Sequence, residues 1–128
     1  MAIQDLWPAD ISDETDLVMP VTILREQAAA LAKRTKGVLE AEVRSTNPEP
    51  GQSTFVHEFV IVAPTLDSYA LALFYVTHDV AGYPLAFVFH EMANKVENQE
   101  ALVSTLKIVF NHEKTKAIIQ ALLAQSKS

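Results

Sequence analysis

The apolar residues of the chain are concentrated in its middle, in three runs separated by short polar segments. The runs cover residues 55–63, 69–78 and 85–90, and the segments between them contain Pro64 and Gly82. Runs of this length that are rich in Val, Phe and Tyr and bounded by Pro, Gly and Asp are typical of antiparallel strands joined by short loops. The pattern therefore predicts three consecutive strands of one sheet.

A fourth strand and the helices follow from the flanking patterns. Residues 39–44 alternate between apolar and charged side chains, as a half-buried strand does. Pro20 precedes apolar residues spaced by three or four positions, which predicts a helix over residues 21–36. Asn98 is a predicted N-cap, and after it the apolar residues follow helical spacing in two segments. Residues 92–97 show neither the spacing of a helix nor the alternation of a strand.

These elements predict an α+β domain, an antiparallel meander of about four strands with an N-terminal helix and one or two C-terminal helices. We place this single domain at residues 20–128 and an acidic N-terminal arm at residues 1–19. The arm contains five acidic residues and no Lys or Arg. Its large apolar side chains are expected to anchor it on the surface of the domain. Those side chains are Ile3, Leu6, Trp7 and Ile11.

The two faces of the predicted sheet have different neighbours. The loop centres of a simple meander set approximate registers, which pair Ala41 with Phe59, Phe59 with Leu73, and Tyr75 with Phe87. One face is then the core under the helices, and the other is apolar on its last three strands, where an antiparallel sheet is usually polar. Either the chain itself covers this apolar surface, or a second copy or another protein does, because an uncovered apolar surface marks an interaction site. The predicted interaction surface consists of Val60, Val62, Phe74, Val76 and Val88.

Length and composition narrow the class of protein. With 128 residues and no Cys, the chain fits one domain without disulfides. A net charge of -6 argues against nucleic-acid binding, which relies on clustered Lys and Arg. The basic residues Lys33, Arg34 and Lys36 are expected to complement the negative end of the first helix dipole. We expect a soluble cytoplasmic protein, since no apolar run reaches the roughly 20 residues of a membrane span and the N-terminus lacks a secretory pattern.

The histidines are the first candidates for a chemical site. Three of the four precede a glutamate, but no His-Glu-x-x-His pattern exists and the predicted registers separate the rings, so we predict no metal and no other cofactor. His57 beside Tyr75 on the packed face is the best constellation for a small ligand, with Glu58 or His78 at the rim. Hydrogen-bonded side chains at the end of the sheet explain the same residues without a ligand.

Three segments resemble a pattern found in small uncharacterised bacterial proteins. They are ILREQA at residues 23–28, TKG at 35–37 and FVIVAP at 59–64. The resemblance implies a compact α+β domain and no particular activity. In its overall profile the chain is also similar to secretion chaperones, which are short, acidic and often dimeric, although a shared fold does not dictate function.

The sequence therefore favours a non-catalytic protein-binding module of the chaperone, immunity or adaptor kind, with a second copy or another protein as its partner. The apolar second face and the absence of catalytic motifs motivate this hypothesis. The alternative is a small-ligand-binding protein or enzyme with a pocket near His57 and Tyr75. The residue patterns leave open whether the protein is an enzyme.

Overall fold

The chain folds into a five-stranded antiparallel sheet that carries three α-helices, in a computed structural model that describes residues 3–128. The α+β class is confirmed, with five strands where about four were predicted. The strands follow the chain order β1-β2-β3-β4-β5 across the sheet, so the meander is also confirmed. The elements are α1 (Pro20–Arg34), β1 (Glu40–Thr46), β2 (Phe55–Ala63), a 3-10 turn (Pro64–Leu66), β3 (Tyr69–His78), β4 (Leu85–Phe89), β5 (Met92–Val96), α2 (Gln99–Phe110) and α3 (Glu113–Ser126).

The fifth strand lies in the segment, residues 92–97, whose sequence showed neither helical spacing nor strand alternation. Strand β5 pairs with β4 from Leu85 opposite Val96 to Phe89 opposite Met92. Only Val96 of its five residues is buried, because β5 is an edge strand. Backbone pairing to β4 stabilises this strand, and such pairing leaves no alternation in the side chains for sequence reasoning to detect.

Local signals set the ends of the helices. Pro20 occupies the first turn of α1, where its missing N–H group would have no helical partner. Asn98 caps α2, as predicted, because its Oδ1 accepts the Ala101 N–H at 2.8 Å. His112 caps α3, with its Nδ1 accepting the N–H of Lys114 at 3.1 Å. None of the helices within residues 3–128 has the length and apolar character needed to cross a bilayer.

All three helices pack on one face of the sheet, which we call the core face. Helix α1 contributes Leu24, and α2 contributes Leu102, to the same cluster of buried side chains. A row of aromatic rings runs across the sheet beneath them, with Phe74 stacked on Phe59 at 5.0 Å and on Phe87 at 4.5 Å between ring centroids. The hydrophobic core therefore lies between this face and the helices.

A β-bulge in β3 decides which residues of that strand reach the core. Phe59 pairs with Phe74 and Val60 pairs with Ala72, so Leu73 is an extra residue. Leu73 and Phe74 are consecutive and yet both buried, at 4% and 3% exposure. Beyond the bulge the alternation is inverted, because an extra residue shifts every following side chain to the other face.

The predicted registers were wrong in consequence. Phe59 pairs with Val43 on one side and with Phe74 on the other. The predicted register of β1 against β2 was wrong by two residues, which leaves each side chain on its predicted face. The predicted register of β2 against β3 was wrong by one residue at the bulge, which moves the following β3 side chains to the opposite face. Two members of the predicted interaction surface, Phe74 and Val76, therefore lie in the core at 3% and 0% exposure.

The N-terminal arm does not anchor where the sequence suggested. Residues 3–19 form no helix or strand, and Trp7 is 74% exposed and Leu6 is 87% exposed. Acidic residues separate these apolar side chains, so they form no continuous stripe that could pack. The arm meets the domain at its end instead, where Met19 packs so closely on buried Gly82 that a Cβ there would lie 2.8 Å from the Met19 Cε.

Candidate functional site

The four residues predicted to line a ligand pocket lie on opposite faces of the sheet. His57 and His78 are buried on the core face, at 4% and 8% exposure. Tyr75 pairs with Glu58 and shares the outer face with it, where it is 41% exposed. The predicted neighbourhood of His57 and Tyr75 is therefore wrong, because the bulge at Leu73 turns Tyr75 away. Whether any of these residues binds a ligand stays a prediction.

The same bulge joins two histidines that the predicted registers had separated. The Nε2 atoms of His57 and His78 lie 3.0 Å apart. The Nδ1 of His57 lies 2.7 Å from the Ser45 Oγ, and the Nδ1 of His78 lies 2.6 Å from the backbone oxygen of Asp79. A continuous chain of hydrogen bonds thus crosses β1, β2 and β3 at one end of the sheet.

The Asp79 carbonyl fixes the proton positions along this chain. A carbonyl oxygen only accepts, so the Nδ1 of His78 carries the hydrogen, and the Nε2 of neutral His78 is an acceptor. His57 must then donate from its Nε2, which leaves its Nδ1 to accept the Ser45 hydroxyl. Every ring nitrogen has a partner, so the two imidazoles are satisfied in the core without a ligand.

Burial, together with the charges of His78 and Arg25, lowers the pKa of His57 to about 4. His57 is therefore neutral at pH 7, consistent with its role as a donor to His78. The described residues contain no group of three or more His, Cys, Asp or Glu side chains that could hold a metal ion. We assign this histidine pair a structural role at the end of the sheet.

An opening large enough for a small molecule lies elsewhere on the core face, between α1 and α3. We call it the α1–α3 cleft; it has a volume of about 410 Å³. Its floor is apolar and consists of the sheet side chains Phe59, Ile61 and Leu73 together with Phe110 at the end of α2. Its walls consist of Gln27, Ala30, Leu31 and Arg34 from α1, Asn111, and Thr115, Lys116, Ile119 and Gln120 from α3.

The walls of the cleft carry positive charge and polar groups. Arg34 lies in the last turn of α1, and Lys116 lies in the first turns of α3. Within residues 3–128 the ion pairs are Arg44 with Glu42 and Lys95 with Glu97, so neither cation of the cleft is paired. Thr115 is 3% exposed, and its hydroxyl is buried without a hydrogen-bond partner.

Sequence reasoning missed the cleft because its residues come from distant parts of the chain. Arg34 was interpreted only as a charge that complements the helix dipole, and nothing in the sequence connects it to Thr115 or Lys116. The run of alanines in α1 was the one available signal, since small side chains leave room beside a helix. Ala28 packs in the core, whereas Ala30 lines the cleft.

Within residues 3–128, no helix lies against the outer face of the sheet. Its centre consists of small or half-buried apolar residues and one tyrosine, namely Val62, Ala70, Ala72, Tyr75, Ala86, Val88 and Ala93. Val60 lies among them but is only 2% exposed. Charged residues also lie on this face, at Glu40, Glu42 and Arg44 on β1, at Glu58 beside Tyr75, and at Lys95 on β5.

Comparisons of the chain with protein-family models, with curated proteins and with solved structures each find no match. The α1–α3 cleft and the outer face of the sheet are the two surfaces whose geometry bears on function.

Proposed function

We propose that the protein is a non-catalytic binding protein that takes up a small molecule with an apolar body in the α1–α3 cleft. The observation that carries the proposal is the space that α1 and α3 leave open above buried residues of the core. A volume of about 410 Å³ lies within the range of ligand pockets, which is about 300–1,000 Å³. We place the binding function here because the cleft combines apolar contact area with a few polar groups.

The packing of the domain supports an occupant. Helices on a sheet normally close over it, because protein interiors reach the density of organic crystals. Here Phe59, Ile61 and Leu73 belong to the core and also line the cleft. These three side chains are only 1% to 4% exposed, so a ligand would cover mainly the half-buried apolar side chains Leu31, Phe110 and Ile119. Removing their surface from water contributes about 25 cal/mol per Å² before the cost of binding is subtracted.

A neutral fluorescent probe with an aromatic apolar body, N-phenyl-1-naphthylamine, tests the proposal. The wild-type protein should increase its emission with a saturating titration curve. Ala30→Trp should fill the cleft and weaken binding at least tenfold, whereas Ala29→Trp, on the neighbouring exposed position of α1, should bind like wild type. Circular dichroism checks that both variants are folded. Equal binding by both variants, or no binding by the wild type, would refute the proposal.

A second candidate function keeps the expectation of a protein-binding module, and its support is the open outer face. We propose a second copy of this chain as the occupant. Five strands about 4.8 Å apart and roughly 24 Å long span about 600 Å², so two copies would bury about 1,200 Å², the lower limit for stable interfaces. A two-fold axis parallel to the strands would place β1 of one copy over β5 of the other and the apolar centres of the two outer faces against each other.

Light scattering after size exclusion tests the second candidate. The wild type and Ala29→Glu, which alters an exposed position of α1, should both be dimers. Ala72→Glu puts an unpaired charge at the centre of the outer face and should produce a folded monomer. A wild-type monomer at micromolar concentration, or a dimeric Ala72→Glu, would rule out the second copy as the occupant.

A further inference from the structure

We infer that the ligand of the α1–α3 cleft is an anionic amphipath, an alkyl or aryl monocarboxylate whose head group binds between Arg34 and Lys116. This inference rests on the proposed function, since it names the class of molecule that the cleft takes up.

The charge of the cleft lining carries the inference. The chain has 16 acidic and 10 basic residues and a net charge of -6. The lining of the cleft nevertheless contains two cations, Arg34 and Lys116, and no acidic residue. The two cations stand on opposite walls, one on α1 and one on α3, and neither has a carboxylate partner among residues 3–128. An anion between them would receive charge-assisted hydrogen bonds from both sides.

A second, independent observation is the hydroxyl of Thr115 on the α3 wall. It is buried without a hydrogen-bond partner, and an unsatisfied buried donor destabilises a folded protein. A carboxylate oxygen is an acceptor and would satisfy this hydroxyl once the Thr115 side chain rotates its oxygen from the buried position toward the cleft. Thr115 is also the third residue of α3, close to the positive end of the helix dipole.

The remaining lining fits the rest of such a molecule. The apolar floor formed by Phe59, Ile61, Leu73 and Phe110 would cover an alkyl or aryl body. The cleft has room for roughly a dozen groups the size of water, at about 30 Å³ each. A ten-carbon carboxylate has this size, with one end charged and the other entirely apolar.

Calorimetric titration with decanoate and with decan-1-ol, both below their micelle-forming or solubility limits, tests the head group with a matched tail. We expect decanoate to bind at least tenfold more tightly than decanol at low salt, and this preference to shrink at high salt because exposed charges are screened. Arg34→Gln and Lys116→Gln should each weaken decanoate binding five- to tenfold and leave decanol binding unchanged. Lys33→Gln, an exposed position of the same helix turn outside the cleft, should bind decanoate like wild type.

The outcomes distinguish a failure of the carboxylate inference from a failure of the proposed function. Equal affinity for decanoate and decanol, with both lost in Ala30→Trp, would overturn the carboxylate and leave the cleft as the binding site. An equal loss in Lys33→Gln would show a general effect of charge and would also overturn the inference. Binding of neither compound, together with no binding of the neutral probe, would overturn the proposed function itself.

Discussion

The acid sensitivity of the fold should depend on His57, which the β-bulge buries beside His78. Burial and the neighbouring charges lower its folded pKa to about 4, from 6.5 in the unfolded chain. Between these two values the unfolded state binds a proton that the folded state does not. The contribution of neutral His57 is therefore complete above pH 6.5 and is lost as the pH falls toward 4.

The size of this effect follows from the same two values. Each pH unit within the window of about 2.5 units lowers the free energy of unfolding by up to about 1.4 kcal/mol, so the total loss is at most about 3.5 kcal/mol. That is a large part of the roughly 5–15 kcal/mol that stabilises a typical domain. The cause is the core environment of a single ring, so removing the ring should remove the effect.

Urea unfolding followed by far-ultraviolet circular dichroism at pH 7.5, 6.5, 5.5 and 4.5 measures the loss. His57→Gln keeps one donor and one acceptor for Ser45 and His78 but cannot titrate. We expect the stability advantage of wild type over this variant to fall by about 2 to 3 kcal/mol between pH 6.5 and 4.5. His90→Gln, which removes an exposed histidine, is the control and should follow wild type. Parallel profiles for wild type and His57→Gln would refute the reasoning.

Two further predictions test the bulge and the cleft by equilibrium unfolding at pH 7. Phe74→Ala should destabilise the fold by about 3–5 kcal/mol because it empties a core position, whereas Tyr75→Ala, the next residue on the outer face, should cost less than about 1 kcal/mol. Similar costs for the two would contradict the inverted alternation. Thr115→Val should leave stability unchanged or raise it by about 1 kcal/mol, because the buried hydroxyl has no partner to lose; a clear destabilisation would mean that the hydroxyl is bonded.

The chemistry of both sites depends on residues that are distant in sequence. His57 and His78 approach each other only because β2 and β3 pair with one extra residue between them. Arg34 and Lys116 line one cleft only because α1 and α3 pack on the same face of the sheet. Neither relation has a local signal, so no reading of the residue types alone could have brought these side chains together.

The sequence by itself determined the class of the fold, three of the strands as continuous apolar runs, a fourth from its alternation, and the helices, with Asn98 as the N-cap of α2. These features are local, since they depend on spacing, on turn residues and on the first and last residues of each helix. Only the tertiary structure decided the fifth strand, the faces of β3 and the shape of the cleft. An edge strand is held by backbone pairing, and a single bulge exchanges the faces of the residues that follow it in its strand. The pattern of apolar and polar side chains therefore predicts neither the edge strand nor the bulge.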